Sequence, residues 1–319
     1  SLASKIDAEI VSVDSVQVYK HFDAGTAKPA LEYRRRVPHF MIDVLEPSEE
    51  TSAGWYRAEA AKAITEILER GHSVVLVGGS ALYYFALTTD LPLYPVDSGI
   101  RQKVRRLIQD NGLEYARVLL AGLAPELAEK VDVKNPRRLG RALEIALSAK
   151  ASSGSVGVAG SFLGIEHYIE KGRPLIGIGI DTPASIYKER IRERTSGMFR
   201  AGLVDEVNRW LMCNEDISGS LANAVGYKQV REYLNQGKDP AEAFGAVVAA
   251  THRLARRQRG WFRRDPRVTW FFSGDLQELK AAVVEFVRFR RSPRDTGAVW
   301  LKWARTFLAE YEGPSARSA

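Results

Sequence analysis

Cysteine is nearly absent. Cys213 is the single one in 319 residues, which excludes an internal disulfide framework and any zinc cluster built on cysteine. A reduced, packed thiol is expected. Long apolar runs are missing as well: no window approaches 18 uninterrupted apolar residues, so no membrane span is indicated. The first residues lack the charged-then-apolar layout of a signal peptide, and a cytoplasmic setting is expected. His21, His39, His72, His167 and His252 show no metal-ligand spacing and read as structural or exposed. The sequence has no internal repeat. Its one low-complexity tract, 151–161 ("ASSGSVGVAGS"), is small and glycine-rich and reads as a flexible loop.

What is present is an ordinary apolar share of 45% in a chain long enough for one large α/β domain or two smaller ones. The formal charge is +7, much of it arginine in short runs. Such a field attracts phosphate-bearing partners, although a merely soluble basic surface is an equal reading of charge alone.

Periodicity predicts a strand at 9–13, a loop through Pro38 and a short apolar segment His39–Leu45. A helix over 53–70 stops at Gly71, followed by a strand at 73–77, a Gly-Gly turn and a helix from about Ser80. Strand, glycine turn, helix is the unit of a parallel α/β sheet. From Val96 to Lys150 the pattern is helical, with candidates at 99–111, 114–120 and 136–149. "RPLIGIGID" reads as a buried strand, and "TPASIYKERIRERTSGMF" as a helix with Thr182 as cap and Pro183 in the first turn. A further helix covers 240–263, a strand 267–272, and the tail from 275 reads as two amphipathic helices.

Asp14 falls at the carboxyl end of the first strand, where open parallel sheets place their ligand crevice. It can take a proton or hold a metal-bound water, or it can simply cap a turn. Ser80, after Gly78 and Gly79, reads either as a helix cap or as an anion-binding group. Arg190 and Arg194 lie four apart on one helical face; both could close on a single diphosphate, or form a solvated charged face. Lys28 says little by itself. "NPRRLGRALE" and "HRLARRQRGWFRRD" set arginines at a helix start and among aromatics, a mixture suited to a polynucleotide.

In order along the chain, "SVDSVQVY", "GTAKP", "VPHFMIDVLEP", "LVGGSALYY", "NPRRLGRALE", "RIRERTSGMFRAGLVDEV", "NAVGYKQ" and "RRQRGWFRR" resemble the tRNA dimethylallyltransferase (tRNA isopentenyltransferase) family over nearly the full length. The absence of an appended Cys₂His₂ finger points to a bacterial-type or organellar member. The resemblance implies transfer of a dimethylallyl group from its diphosphate to the exocyclic N6 amine of the tRNA adenosine 3′ of the anticodon, with Mg²⁺ as cofactor. It makes Asp14 the general base, and Asp14, Ser15, Val16 and Gln17 contacts of the flipped nucleotide. Arg194 would act on the departing diphosphate with Arg190, Lys28 and Thr26 beside it, and Ser80 would stand near both substrates. Arg101 matches a tRNA contact, as do the segments Arg137, Arg138, Leu139, Gly140, Arg141 and Asn223, Ala224, Val225, Gly226, Tyr227, Lys228.

The match has two gaps. The family's phosphate loop, G-P-T-x-x-G-K-[ST], does not occur in this sequence, so no metal ligand is assignable; Ser1 to Asp7 read as the end of the helix after it, and the numbering is expected to begin just past that motif. At 150–161 the usual "TGKP"-like turn is replaced. The expected fold is α/β: a P-loop-NTPase-like parallel sheet flanked by helices, formed by 1–95 and 162–319, with an inserted all-helical tRNA-binding subdomain at 96–150. The expected protein is a monomer that binds the tRNA anticodon stem-loop and dimethylallyl diphosphate. The rivals are an isopentenyltransferase of free adenine nucleotides, an ATP-dependent kinase and a tRNA-binding protein without catalysis.

Overall fold

The computed structural model describes residues 2–89, 91–94, 96–151, 176–212, 217–272 and 281–285. In chain order the helices are α1 (Leu2–Lys5), α2 (Leu31–Arg36), α3 (Ala53–Glu69), α4 (Ala81–Thr88), α5 (Ser98–Leu123), α6 (Pro125–Lys130), α7 (Pro136–Ala151), α8 (Ala184–Arg200), α9 (Leu203–Met212), α10 (Gly219–Ala222), α11 (Tyr227–Asn235) and α12 (Ala243–Phe262). The strands are β1 (Ala8–Val13), β2 (His39–Phe40), β3 (Ser73–Gly78), β4 (Gly177–Asp181) and β5 (Val268–Phe272). The chain is mixed α/β, and among the described residues the strands pair in parallel: one sheet in the order β2-β1-β3 and a second of β4 and β5.

β1 lies between two strands and is covered on both faces. Its sequence, AEIVSV, therefore does not alternate; all but Ile10 are buried. Two of the buried residues are polar and survive there because they are paired. Glu9 accepts hydrogen bonds from Arg70 and His72, and the Ser12 hydroxyl donates to Gln17 at 2.9 Å. The register sets Val13 opposite Gly78, so β1 and β3 end side by side. α3 starts where Ser52 accepts from the Trp55 N–H, and it is followed by Gly71 at φ +83°, the expected glycine stop. Of its buried residues, Tyr56, Ala60, Ile64 and Ile67 share a core with Val11, Val13, Tyr83 and Leu87. The Tyr56 and Tyr83 rings stack with centroids 4.1 Å apart.

A second core gathers the segment after β1 with the later helices: Val18, Tyr19, Phe22 and Leu45 pack with Leu203, Val207, Trp210, Leu221, Tyr227 and Val230. Residues Ser1–Thr88 with Ile165–Ala319, and Thr89–Gly164, form two compact units. The smaller one is helical and has its own core of Val104, Ala116, Leu120, Leu139, Ala142, Leu143 and Ala146. Within α5, Gly112 departs from helical geometry at φ 81°, ψ 176°, so the span consists of two helical arms, as the split between 99–111 and 114–120 anticipated.

Three local expectations differ from the structure. The stretch read as loop through Pro38 contains α2, whose six residues bury nothing and so leave no apolar periodicity to detect. Thr182 does not cap α8; Pro183 occupies the cap position without a side-chain bond, and the Thr182 N–H is held by the Asp181 carboxylate at 2.9 Å. α9 and α11 were not anticipated, although both bury apolar residues at helical spacing. The tract 152–161 and the tail from 275, apart from 281–285, lie outside the described residues.

Candidate active site

The carboxyl ends of β1 and β3 bring Asp14, Ser15 and Ser80 together. The Ser80 N–H donates to the Val13 carbonyl at 3.1 Å, while the Ser80 hydroxyl accepts the Ser15 N–H at 3.0 Å and meets the Ser15 hydroxyl at 3.3 Å. Ser80 thus stands at the start of α4, but its side chain is spent on β1's tip and not on capping the helix. Glycine is required at position 78, where a Cβ would sit 2.1 Å from the Val13 carbonyl oxygen; a Cβ on Gly79 would meet only the carboxamide end of the flexible Gln258 side chain.

Asp14 Oδ1 accepts the N–H groups of Val16 at 2.8 Å and Gln17 at 3.2 Å, forming a side-chain-closed turn. The turn-capping alternative is therefore real, but it occupies one oxygen. Among the described residues, Oδ2 accepts no hydrogen bond. Two phenols stand near this carboxylate. Burial raises the Tyr56 hydroxyl well above the ordinary phenol range and pushes that of Tyr83 up to about 12, with the Asp14 charge adding to both. Tyr56 donates to the Ser12 carbonyl at 2.7 Å, which fixes the base of β1's tip. Gln17 does not point its amide toward a ligand: it accepts from Ser12 and donates to the Thr26 and Ala27 carbonyls at 3.3 and 3.4 Å. It is a strut between β1 and the GTAKP loop.

That loop borders a cleft of about 650 Å³ whose lining includes Ala27, Lys28, Arg194, Glu206 and Arg209. Arg194 is exposed and lines this cleft. Arg190, one turn earlier on α8, is half-buried and is not part of the cleft lining. Lys28 lines the cleft, but its ammonium donates to the Tyr19 carbonyl, to Asp23 and to Asp43, each at 2.6 Å, with only 5% of the side chain exposed. All three of its donors are filled. Burial pushes the Asp43 carboxyl up, yet the hydrogen bonds from Lys28 and Arg34 outweigh it and hold the group below its ordinary value. Thr26 is 5% exposed and turns its hydroxyl to the Phe22 and Asp23 carbonyls. In this structure Thr26 and Lys28 spend their polar groups within and around the loop, holding its shape, while Lys28 also lines the cleft.

The residues matched to tRNA contacts divide by burial. Arg137 and Arg138 are exposed on the first turn of α7, where their N–H groups bond to Asn135 Oδ1 at 3.1 and 3.3 Å. Arg101 is half-buried near the start of α5. Arg141 is half-buried and donates to the Tyr94 carbonyl and to Glu144. Leu139 and Gly140 are buried; Leu139 belongs to the core of the helical unit, so its side chain is corrected to a packing role. In the second segment Asn223 is exposed, while Val225 and Lys228 are half-buried. Ala224, Gly226 and Tyr227 are buried, with Tyr227 at 0%, and side-chain contact with a tRNA is excluded for that tyrosine. Gly226, at φ +101°, starts α11, and its N–H donates to Gln229 at 2.9 Å. The basic helix α12 is partly committed as well: Arg259 and Arg263 pair with Asp181 at the end of β4.

Sequence reasoning missed Glu206. Its carboxylate holds the N–H groups of Asp23 and Ala24, and its side chain borders the same cleft as Arg194. No local signal marks it, because the backbone N–H groups it holds are more than 180 positions away.

Parallel strands bring a carboxylate and hydroxyls to their carboxyl ends, where open α/β sheets place their ligand crevice, and Gln17 ties that tip to the loop that borders the arginine-bearing cleft. More narrowly, the chain belongs to the IPP transferase family, whose model matches residues 17–265. It is 35% identical over 295 residues to a tRNA dimethylallyltransferase of Moorella thermoacetica, covering 90% of this chain and 89% of that protein. It is 36% identical to the tRNA dimethylallyltransferase of Carboxydothermus hydrogenoformans, at 89% and 90% coverage. The crystal structure of a tRNA isopentenylpyrophosphate transferase from Bacillus halodurans superposes with a TM-score of 0.62 at 30% identity, over 90% of this chain and 89% of that one.

Proposed function

We propose that this protein transfers a dimethylallyl group from dimethylallyl diphosphate to the N6 amine of the tRNA adenosine 3′ of the anticodon. The observation that carries the reading is Asp14: one carboxylate oxygen is held by two backbone N–H groups, and the other is left to receive a proton. An adenine amine is a weak nucleophile, so proton removal as the new bond forms is the help it needs. The N6–C bond forms, the allylic C–O bond breaks, the N6 proton passes to Asp14 Oδ2, and diphosphate leaves with the bonding pair. Arg194 supplies charge to that departing anion, with the field of Lys28 and support from Arg190. Ser15 and Ser80 present hydroxyls at the same strand tips as Asp14. A target base must leave its stack to reach them, which a loop nucleotide does at low cost.

The parallel sheet is read as one of P-loop type, with the helical unit as an insert whose exposed Arg137 and Arg138 take anticodon-stem phosphates. The reading is of a cytoplasmic monomer. Mg²⁺ is part of the reading as cofactor; among the described residues no group of three or more His, Cys, Asp or Glu side chains could hold it, and a magnesium ion bound through a diphosphate does not require such a cluster. No helix among the described residues is long and apolar enough to cross a membrane.

The test is transfer of label from dimethylallyl diphosphate, offered tRNA and AMP in parallel. Label on tRNA alone supports the reading. Label on AMP points to a nucleotide isopentenyltransferase, and tRNA binding without transfer to a binding protein.

A further inference from the structure

The Arg194 cleft is bordered by a carboxylate that the reaction does not use. Glu206 Oε1 accepts the N–H of Asp23 at 2.8 Å and of Ala24 at 2.9 Å, while Oε2 accepts the Tyr227 hydroxyl at 2.6 Å and lies 3.5 Å from the Gly25 nitrogen. The Tyr227 oxygen in turn accepts the Gly25 N–H at 3.0 Å. Three successive backbone N–H groups thus converge on one acidic side chain and the phenol it holds, a nest with a built-in anion. The fit is tight. A Cβ on Gly25 would lie 2.4 Å from the Tyr227 ring, so only glycine admits the phenol to the backbone. Tyr227 is fully buried and its ring meets Phe22 edge-on at 5.3 Å, which leaves it no freedom to turn away.

We infer that Glu206 and Tyr227 are positioning residues: together they clamp the Asp23–Lys28 loop so that Ala27 and Lys28 border the cleft with Arg194, ready for a diphosphate. The inference rests on the reading of that cleft as the diphosphate site. It also accounts for three separated sequence pieces, "GTAKP", "LVDEV" and "NAVGYKQ", as parts of one device. The next link runs through Lys28, whose ammonium joins Asp23 inside the loop to Asp43 and the Tyr19 carbonyl outside it. Release of the clamp therefore loosens the cation beside Arg194 without removing any charge that would touch the ligand.

Tyr227→Phe in the full-length chain is the cleanest perturbation, since the ring stays and only the hydroxyl goes. Two quantities are read: amide hydrogen exchange over 22–28, and calorimetric affinity for inorganic diphosphate, with tRNA affinity as the comparison. The clamp predicts exchange faster by about tenfold or more, as loss of a hydrogen bond to a charged acceptor implies. Diphosphate affinity falls by about the same factor as the loop's ordering is lost, and tRNA affinity stays unchanged. Should Tyr227→Phe not fold, Glu206→Gln serves through exchange alone, since it also removes a negative charge from the cleft lining: a neutral amide holds the loop N–H groups less strongly, so exchange over 22–28 is expected to quicken. Faster exchange with unaltered diphosphate affinity overturns the positioning role and leaves the proposed activity standing. Unchanged exchange overturns the clamp itself. A wild-type chain that transfers label but does not bind diphosphate through this cleft, shown by an affinity indifferent to Arg194→Ala, overturns the inference alone; absence of transfer by the wild type refutes the proposed function.

Discussion

Replacing Asp14 by asparagine separates its two jobs. The asparagine Oδ1 can still accept the N–H groups of Val16 and Gln17, now at 2.8 and 3.2 Å, so the turn at the tip of β1 survives. What disappears is the carboxylate that takes the N6 proton. A positioned general base contributes about 10²- to 10⁴-fold, or about 2.7 to 5.5 kcal/mol at 1.36 kcal/mol per decade, and a loss of that size is expected. Asp14→Ala loses the turn as well. By analogy with a deleted cap it costs about 0.5 to 2 kcal/mol of stability in addition. The assay is single-turnover transfer of labelled dimethylallyl with protein in excess, beside tRNA affinity and thermal unfolding of each variant. Asparagine should depress the chemical rate with tRNA affinity and unfolding little changed; alanine should depress both rate and stability. Near-wild-type turnover in Asp14→Asn would refute the assignment of Asp14 as base. Equal destabilisation by both substitutions would refute the account of the turn.

Two other outcomes are expected. Glu9 is buried in β1, and its carboxyl is held below the ordinary value near 4.5, first by the hydrogen bond from Arg70, with His72 adding to it against the opposing effect of burial. A group whose folded-state pKa is depressed stabilises the fold in full above its unfolded value, and that contribution is lost as pH falls through the folded one. Melting curves from neutral pH down through the carboxylate range should therefore drop more steeply for wild type than for Glu9→Gln; parallel curves would contradict the pairing. Removing the exposed pair Arg137 and Arg138 should weaken tRNA binding and flatten its salt dependence by about 0.9 in the log-log slope for each duplex-stem phosphate that is no longer neutralised, and an unaltered slope would exclude those two from the interface.

The chain's local signals were enough for the pieces that depend on neighbours in sequence. The apolar run at Ile10–Val13, the Gly71 stop and the Gly78-Gly79 turn each carry their cause within a few residues, and the strands and α3 lie where those signals place them. Asp14 was legible for the same reason, since a carboxylate directly after a buried strand reaches the sheet's edge whatever the rest of the fold does. α2 was not, because a six-residue helix that buries nothing has no apolar stripe.

The sequence by itself determined the parallel α/β character, the helical middle and the order of the motifs, since periodicity and glycine placement are properties of adjacent residues. Only the tertiary structure decided what the polar residues do. Lys28 and Gln17 look like ligand-binding groups until Tyr19, Asp43 and Ser12 are seen to consume their hydrogen-bonding capacity. Tyr227 looks like part of a nucleic-acid segment until its hydroxyl is found against Glu206 and Gly25, the latter 202 positions away. A donor's partner is fixed by the folding of distant chain onto it, and no window of sequence contains that information.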